Sequence, residues 1–196
     1  MAQAAATLRQ AAVRRTGILT DALLVLGGAL LMAGVAQISI PLPFTPVPIT
    51  GQTFGVLLVG ASLGPILGGS SMLLYVLMGA VGLPFYAQHS GGWKVVTGAT
   101  GGYLISYFFA AAAVGYLAER GWDKKFGSAI GAMLTGNVII YLVGLPWLSW
   151  KLHTSLTKTL ELGLYPFIPG DTLKLYLAAA ALPGAWWAVR RARRDD

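Results

Sequence analysis

Asp171 and Lys174 are two ionisable side chains that stand inside an apolar stretch of a 196-residue sequence. Their spacing of three residues places them on one face of a helix, where a carboxylate and an ammonium group can pair. Charge inside an apolar helix is costly, and it commonly marks a site for a polar ligand. We therefore predict that both residues contact a ligand. The alternative is structural: Pro169-Gly170-Asp171 is typical of a turn followed by an N-cap carboxylate, and the pair would then only neutralise itself.

Two further segments place polar and small residues at the start of apolar stretches, Gly51-Gln52-Thr53 and Thr100 to Tyr103. If these starts and the one near Asp171 share a side, three helix N-termini present free N–H groups and positive dipole ends to one region. Such a region suits an anion, for example a ligand carboxylate. Gly101 and Gly102 would let a ligand approach the backbone closely. The alternative for this segment is a simple turn.

The loop that precedes Thr100 contributes amphipathic side chains on the same side of the chain. Its polar and aromatic members are Tyr86, Gln88, Ser90 and Trp93. The alternative for Tyr86 and Trp93 is an aromatic belt at a membrane interface, where their rings anchor the chain without contacting a ligand.

Ala29 and Ala33 form a small-xxx-small pair near the start of the chain. This spacing lets two helices approach closely, and it predicts a docking surface for a partner helix. Since Ala and Gly are common throughout this sequence, packing against another helix of the same chain is the alternative.

Sequence signatures of catalysis are absent from the chain. There is no phosphate-binding G-x-x-x-x-G-K-[ST], no H-E-x-x-H and no acidic pair arranged for hydrolysis. The absence of cysteine excludes disulfides, thiolate metal sites and cysteine nucleophiles. We expect no enzymatic activity, no catalytic residue, no metal and no cofactor, so that any ATP-driven step belongs to other chains.

The composition is that of an integral membrane protein. Apolar residues make up 56% of the chain and charged residues 11%, against about 25% charged residues in an ordinary soluble domain. The mean hydropathy is +0.67. The apolar runs are unbroken rather than alternating, which favours helices over a transmembrane barrel. Nucleic-acid binding is disfavoured because the basic residues flank apolar runs and form no aromatic-interleaved face.

The length and the pattern predict an all-α bundle of six transmembrane helices in a single membrane domain, residues 1–196. A transmembrane helix needs about 20 mainly apolar residues. The second run is the shortest, and the pattern allows its end to extend past residue 66, into the start of the third run. Four of the ten prolines lie between residues 41 and 50 and predict an extended outer loop, while a short interfacial helix is expected between residues 151 and 169. The predicted spans are residues 18–40, 51–68, 66–83, 100–117, 127–150 and 170–189.

Basic residues are distributed unequally between the two sides of this predicted bundle. Positive charge accumulates in cytoplasmic loops, so the richer side is cytoplasmic. The bias predicts that both termini are cytoplasmic and that the proline-rich loop is outside. One side holds ten of these residues, Arg9, Arg14, Arg15, Arg120, Lys124, Lys125, Arg190, Arg191, Arg193 and Arg194, and the other holds three, Lys94, Lys151 and Lys158.

Three segments in this order and spacing resemble the BioY family, the biotin-specific S components of energy-coupling factor (ECF) transporters. They are Pro46 to Thr53, Thr100 to Tyr103 and Phe167 to Lys174. The resemblance covers residues 29–174. One departure is Ala99, which stands where the family usually has proline before Thr-Gly-Gly-Tyr, a change that touches no polar group.

The resemblance implies a substrate-binding membrane subunit in the cytoplasmic membrane of a prokaryote. It implies biotin bound near the outer side, under the loop between the first two helices, with a transmembrane T component and two ABC-type ATPases as partners in the bilayer. Alternatives are an S component for another vitamin and a stand-alone channel or facilitator. Carried over by motif, the implied ligand-binding residues are Asp171, Lys174, Gln52, Tyr86, Gln88, Ser90, Trp93, Thr100, Gly101, Gly102 and Tyr103, and the implied partner-docking residues are Ala29 and Ala33.

Overall fold

The computed structural model describes residues 7–12 and 17–192 of the chain. Arg14, Arg15, Arg193 and Arg194, which enter the charge argument, lie outside the described residues. Short 3-10 turns lie at Ala87–His89, Trp122–Lys124 and Tyr165–Phe167. The α-helices are α1 (Leu8–Ala12), α2 (Ile18–Ala36), α3 (Gln52–Leu63), α4 (Pro65–Ala80), α5 (Trp93–Val96), α6 (Gly101–Glu119), α7 (Phe126–Leu152), α8 (Leu156–Gly163) and α9 (Ile168–Ala192).

The chain is mostly helical, as the sequence predicts. Within the described residues, three helices are long and apolar enough to cross a membrane: α2, α6 and α7, with mean hydropathies of 2.1, 1.4 and 1.7. The helices α3 and α4 are also apolar but have only 12 and 16 residues. The helix α8 is the short helix that the sequence predicts between residues 151 and 169. The six-span arrangement itself stays a prediction.

The break between α3 and α4 falls at Gly64, earlier than the predicted end of the second span at residue 68. Gly64 ends α3 with φ +87°, a backbone conformation that residues other than glycine rarely adopt. Pro65 then opens α4 at a position where its missing N–H is not needed. The turn also packs against α6, because a Cβ added at Gly115 would lie 2.4 Å from the carbonyl carbon of Gly64.

The helix α9 begins two residues before the predicted start, at Ile168. Pro169 is accommodated because the first turn of a helix needs no N–H donor from it. Asp171 therefore lies inside the first turn, and the interpretation of Asp171 as an N-cap residue is wrong. Its carboxylate is directed to other helices instead.

The proline-rich loop is closed at its base by a small antiparallel ribbon, which the helical prediction did not include. Strand β1 (Ser39–Ile40) pairs with β2 (Ile49–Thr50), with Ser39 opposite Thr50. Gly51 donates its N–H to the carbonyl of Ile38 at 2.9 Å. The ribbon brings the end of α2 next to the start of α3 and fixes both ends of the loop.

At the other end of the bundle, a buried carboxylate holds the turn between α6 and α7 against α9. Asp123 is fully buried and accepts a hydrogen bond from the indole N–H of Trp186. Burial raises the pKa of Asp123 above its usual value. The ammonium group of Lys124 lies 4.7 Å from the centroid of the Trp186 ring. On α1, Arg9 forms an ion pair with Asp21 of α2.

The small-residue pair on α2 faces the interior of the chain. Ala29 is 0% exposed and Ala33 is 8% exposed, and both belong to a core that includes Val59 and Met72. The helix α2 packs on α4 here, since a Cβ added at Gly28 would lie 2.5 Å from the Ser71 hydroxyl. Packing within the chain therefore accounts for these two small residues, which favours the alternative of internal packing. Docking of a partner helix at Ala29 and Ala33 stays a prediction.

Internal packing at Ala29 predicts the effect of a large side chain there. Ala29→Trp should lower the thermal stability of the purified chain, because overpacking a filled helix interface costs about 1–3 kcal/mol. The matched control is Leu30→Trp on the adjacent, 49% exposed position, which should keep wild-type stability. Thermal unfolding in one detergent tests both variants. Equal stability of the two variants would contradict internal packing.

Candidate functional site

A cavity of about 230 Å³ lies at the end of the bundle that carries the proline-rich loop. Its wall has two parts, the side chains of α3, α6, α7 and α9 and the backbone-rich loops that precede α3 and α5. The lining residues are Pro46, Val47, Pro48, Thr50, Gln52, Thr53, Tyr86, Ala87, Gln88, Ser90, Val95, Thr100, Tyr103, Leu104, Tyr107, Ile140, Tyr141, Gly163, Phe167, Asp171 and Lys174.

The charged pair predicted from the sequence is in this wall. The Nζ atom of Lys174 lies 3.0 Å from Oδ1 of Asp171, and their side chains are only 17% and 8% exposed. Thr53 of α3 donates its hydroxyl to the same Oδ1 atom at 3.1 Å. Tyr141 of α7 donates its hydroxyl to Oδ2. The carboxylate therefore joins α3, α7 and α9 at one point.

The polar cluster formed by Asp171, Lys174, Thr53 and Tyr141 is electrically neutral and largely hydrogen-bonded. An ionised carboxylate offers about four lone-pair positions, and three of those on Asp171 are used by the other members of the cluster. Lys174 has three donors, and its ammonium group donates to Asp171 and, at 3.3 Å, to the Thr53 hydroxyl. The cluster can therefore offer one further acceptor position and one further N–H to a ligand in the cavity.

A second line of polar contacts runs beneath the cavity from α3 to α4. The Gln52 side-chain amide donates to the hydroxyl of Tyr75 at 2.7 Å. The ring of Tyr75 meets that of Tyr86 edge to face, with centroids 5.6 Å apart. Tyr86 in turn donates its hydroxyl to the carbonyl of Val76. Burial raises the pKa of Tyr86 to about 12, so its phenol stays protonated as this donor at neutral pH.

The loop of residues 84–90 forms another part of the wall and has unusual backbone geometry. Gln88 and His89 have φ values of +59° and +53°, in the left-handed region that non-glycine residues rarely occupy. The loop closes on itself, because Tyr86 donates its N–H to the carbonyl of Ser90 at 3.0 Å. Strained residues of this kind are found where a site requires a particular backbone conformation.

Eight of the eleven ligand-binding residues predicted from the sequence line the cavity. Trp93, Gly101 and Gly102 do not. Trp93 is 67% exposed, which agrees with the interfacial alternative. The eight that line it are Asp171, Lys174, Gln52, Tyr86, Gln88, Ser90, Thr100 and Tyr103.

The two glycines permit close packing inside the protein rather than the approach of a ligand. A Cβ added at Gly101 would lie 1.8 Å from the carbonyl oxygen of Val96, and one at Gly102 would lie 2.3 Å from Cβ of Trp147. Trp147 also donates its indole N–H to the carbonyl of Gly98 at 2.9 Å. The predicted role of Gly101 and Gly102 in letting a ligand reach the backbone is therefore wrong.

Tyr141 lines the cavity and contacts Asp171, and the sequence did not predict it. It stands in the run Val138-Ile139-Ile140-Tyr141, where a single tyrosine carries no local signal. Tyr107 and Phe167 were also missed. A signal did exist for Tyr107, since Tyr103 lies four residues before it on the same helix face.

The cavity is suited to binding, and its residues form no recognisable catalytic set. A polar cluster on the helical wall stands beside apolar side chains from Val47, Leu104, Ile140 and Phe167. Such a surface fits a small ligand with both hydrogen-bonding and apolar parts. Among the residues that the structure describes, no group of three or more His, Cys, Asp or Glu side chains is placed to hold a metal ion.

Known proteins with similar sequences are named as biotin transporters. The chain is 44% identical over 129 residues to a probable biotin transporter BioY of Methanothermobacter thermautotrophicus, covering 62% of this chain and 82% of the relative. It is 40% identical over 151 residues to the biotin transporter BioY of Thermotoga maritima, covering 77% of this chain and 86% of that one.

A solved structure has a similar fold. It is described as the crystal structure of the S-component for biotin from an ECF-type ABC transporter, and it superposes with a TM-score of 0.71 at 28% sequence identity. The match covers 92% of this chain and 95% of that one. The sequence model of the BioY family matches residues 4–191, nearly the whole chain. With the fold and the three motif segments in agreement, this chain belongs to the BioY family.

Proposed function

We propose that this chain is the biotin-binding S component of an ECF-type ABC transporter and that it binds biotin in the cavity described above. The observation that carries the proposal is the polar cluster of Asp171, Lys174, Thr53 and Tyr141 in the wall of a cavity that is otherwise largely apolar. The names of the relatives and of the similar solved structure support the same ligand.

The chemistry of biotin suits this cavity. Its ureido ring has two N–H donors and one carbonyl acceptor, its thiophane ring is apolar, and its tail ends in a carboxylate. The open acceptor position on Asp171 suits a ureido N–H, while the open N–H of Lys174 suits a carbonyl or carboxylate oxygen. The apolar lining residues, including Val47 and Phe167, suit the thiophane ring and the tail.

The partners and the membrane arrangement belong to the same proposal. The chain would lie in the cytoplasmic membrane as six spans, α2, α3, α4, α6, α7 and α9, with both termini in the cytoplasm. Energy would come from two ABC ATPases joined to it by a transmembrane T component. The absence of a phosphate-binding motif in the sequence supports this division of labour.

Purified alone, the chain should bind biotin and hydrolyse no ATP. Binding is expected because the complete polar cluster lies within one chain, and hydrolysis is not because the phosphate-binding motif is missing. A panel of radiolabelled vitamins tested against the protein in detergent, with an ATPase assay on the same sample, measures both. If another vitamin binds strongly and biotin does not bind, the cavity belongs to that vitamin. ATP hydrolysis by the purified chain would refute the S-component role.

Asp171→Asn and Lys174→Met should each weaken biotin binding at least about tenfold. A hydrogen bond to a charged group contributes about 1.5–3 kcal/mol, and removing one member of a buried pair also strands the other. Tyr141→Phe should weaken binding by a smaller factor, because it removes only one donor to Asp171. Equilibrium binding of radiolabelled biotin measures all three.

The control for these variants is Lys158→Met on α8. Lys158 pairs with Glu161 at the same three-residue spacing and a distance of 2.9 Å, but both side chains are about half exposed. Exposed pairs contribute little, so this variant should bind biotin like the wild type. Wild-type affinity in folded Asp171→Asn and Lys174→Met would make the buried pair structural.

The proposed orientation can be tested with single cysteines, since the chain has none of its own. Lys158 is an exposed position on α8, and Lys125 is an exposed position in the turn at the other end of the bundle, so Lys158→Cys and Lys125→Cys each report one side. A membrane-impermeant maleimide applied to intact cells should label the first and spare the second until the cells are opened. The reverse pattern would place both termini outside.

A further inference from the structure

We propose that Gln37 is a positioning residue for the ligand cavity, holding the 84–90 loop in the conformation that presents Gln88 and Ser90. Gln37 is not a lining residue. It stands at the C-terminal end of α2, where its own N–H caps the helix by donating to Gly34 and Val35 carbonyls. The inference rests on the proposed function of the cavity as a biotin site.

The side chain of Gln37 bridges two elements. Its Nε2 atom donates to the carbonyl of Ala33 in α2 at 2.9 Å, and it also lies 3.3 Å from the carbonyl oxygen of Tyr86. The carbonyl oxygens of Pro84 and Phe85 lie 3.4 Å away. Its Oε1 atom accepts the backbone N–H of His89 at 2.9 Å. One amide thus joins the helix to both ends of the loop.

The contact with His89 falls where the loop most needs support. Gln88 and His89 are consecutive residues in the left-handed region, and each costs conformational energy there. In the part of the chain that the structure describes, the other hydrogen bonds of residues 87–90 stay inside the loop, between Ser90 and Ala87 or Tyr86. Those bonds set the local turn, whereas Gln37 ties it to the helical bundle.

The base of the loop has a separate anchor, and this separates the role of Gln37 from general stability. Tyr86 is 1% exposed, and its hydroxyl donates a hydrogen bond to the carbonyl of Val76 in α4. Gly92 donates its N–H to the carbonyl of Gly79 at 2.7 Å. Loss of Gln37 therefore frees the tip of the loop, residues 87–90, and leaves its base on α4. Gln88 and Ser90, which line the cavity from the tip, lose their fixed position.

The test uses Gln37→Ala, which removes the side-chain amide with all of its contacts, and Gln37→Met, which keeps the side-chain length without the amide. We expect biotin to dissociate about tenfold faster from each, since the hydrogen bonds that tie the loop to α2, at the Tyr86 carbonyl and the His89 N–H, are lost. The association rate should change little. The control is Ser128→Ala, which removes a hydroxyl bound to the Trp122 carbonyl at 2.8 Å at the far end of the bundle. It should keep the wild-type rate.

A second measurement reports the loop directly and needs no ligand. The His89 amide should exchange its hydrogen faster in both Gln37 variants than in the wild type, while amides of α4 and α6 keep their protection. Unchanged dissociation and unchanged exchange at His89 would overturn the inference, as would a uniform loss of protection, which indicates a purely structural role. If the wild type does not bind biotin, the proposed function fails, and the exchange measurement still decides whether Gln37 holds the loop.

Discussion

The arrangement of the cavity depends on the contacts of one buried group, the carboxylate of Asp171. A charged group in this setting is tolerated only when it is paired and its hydrogen bonds are filled. Lys174 supplies the opposite charge from one turn along α9, and Thr53 and Tyr141 supply donors from α3 and α7. Three helices must therefore meet at one point with a fixed rotation, which also fixes the cavity beside them.

Close helix packing is the second requirement, and glycine provides it at the crossings of α3 with α4 and α6. A Cβ added at Gly60 would lie 2.5 Å from the carbonyl oxygen of Ala111, and one at Gly68 would lie 2.9 Å from Cα of Gly60. Contacts between backbones leave no room for adjustment, so these helices cannot slide or separate without losing dispersion contacts. The short helices α3 and α4 are held in the bundle by this packing rather than by their own length.

The sequence predicts the parts of this site whose physical cost is visible locally. Asp171 and Lys174 stand out because charge in an apolar run is expensive, and the proline-rich loop stands out because alternate prolines cannot form a helix. Tyr141 could not be predicted, because its function depends on α7 meeting α9 at one register. The same limit applies at Gly101 and Ala29: a small residue predicts close approach, and the sequence does not say what approaches.

The two walls of the cavity are held by different chemistry, and this bears on how a ligand is selected. The helical wall has no net charge because Lys174 balances Asp171. Long-range electrostatic attraction of a charged ligand therefore contributes little to selection. Selection must then come from short-range hydrogen bonds. A site whose buried polar groups are matched to a ligand discriminates strongly against an analogue that lacks one of the matching groups, because a buried donor or acceptor is left unpaired.

The loop wall, with exposed Gln88 at its tip, lies nearer to solvent and can contribute such bonds only while its strained backbone is held in place. On the proposed function, the polar wall determines which groups the ligand must carry, and the positioned loop determines how long the ligand stays bound.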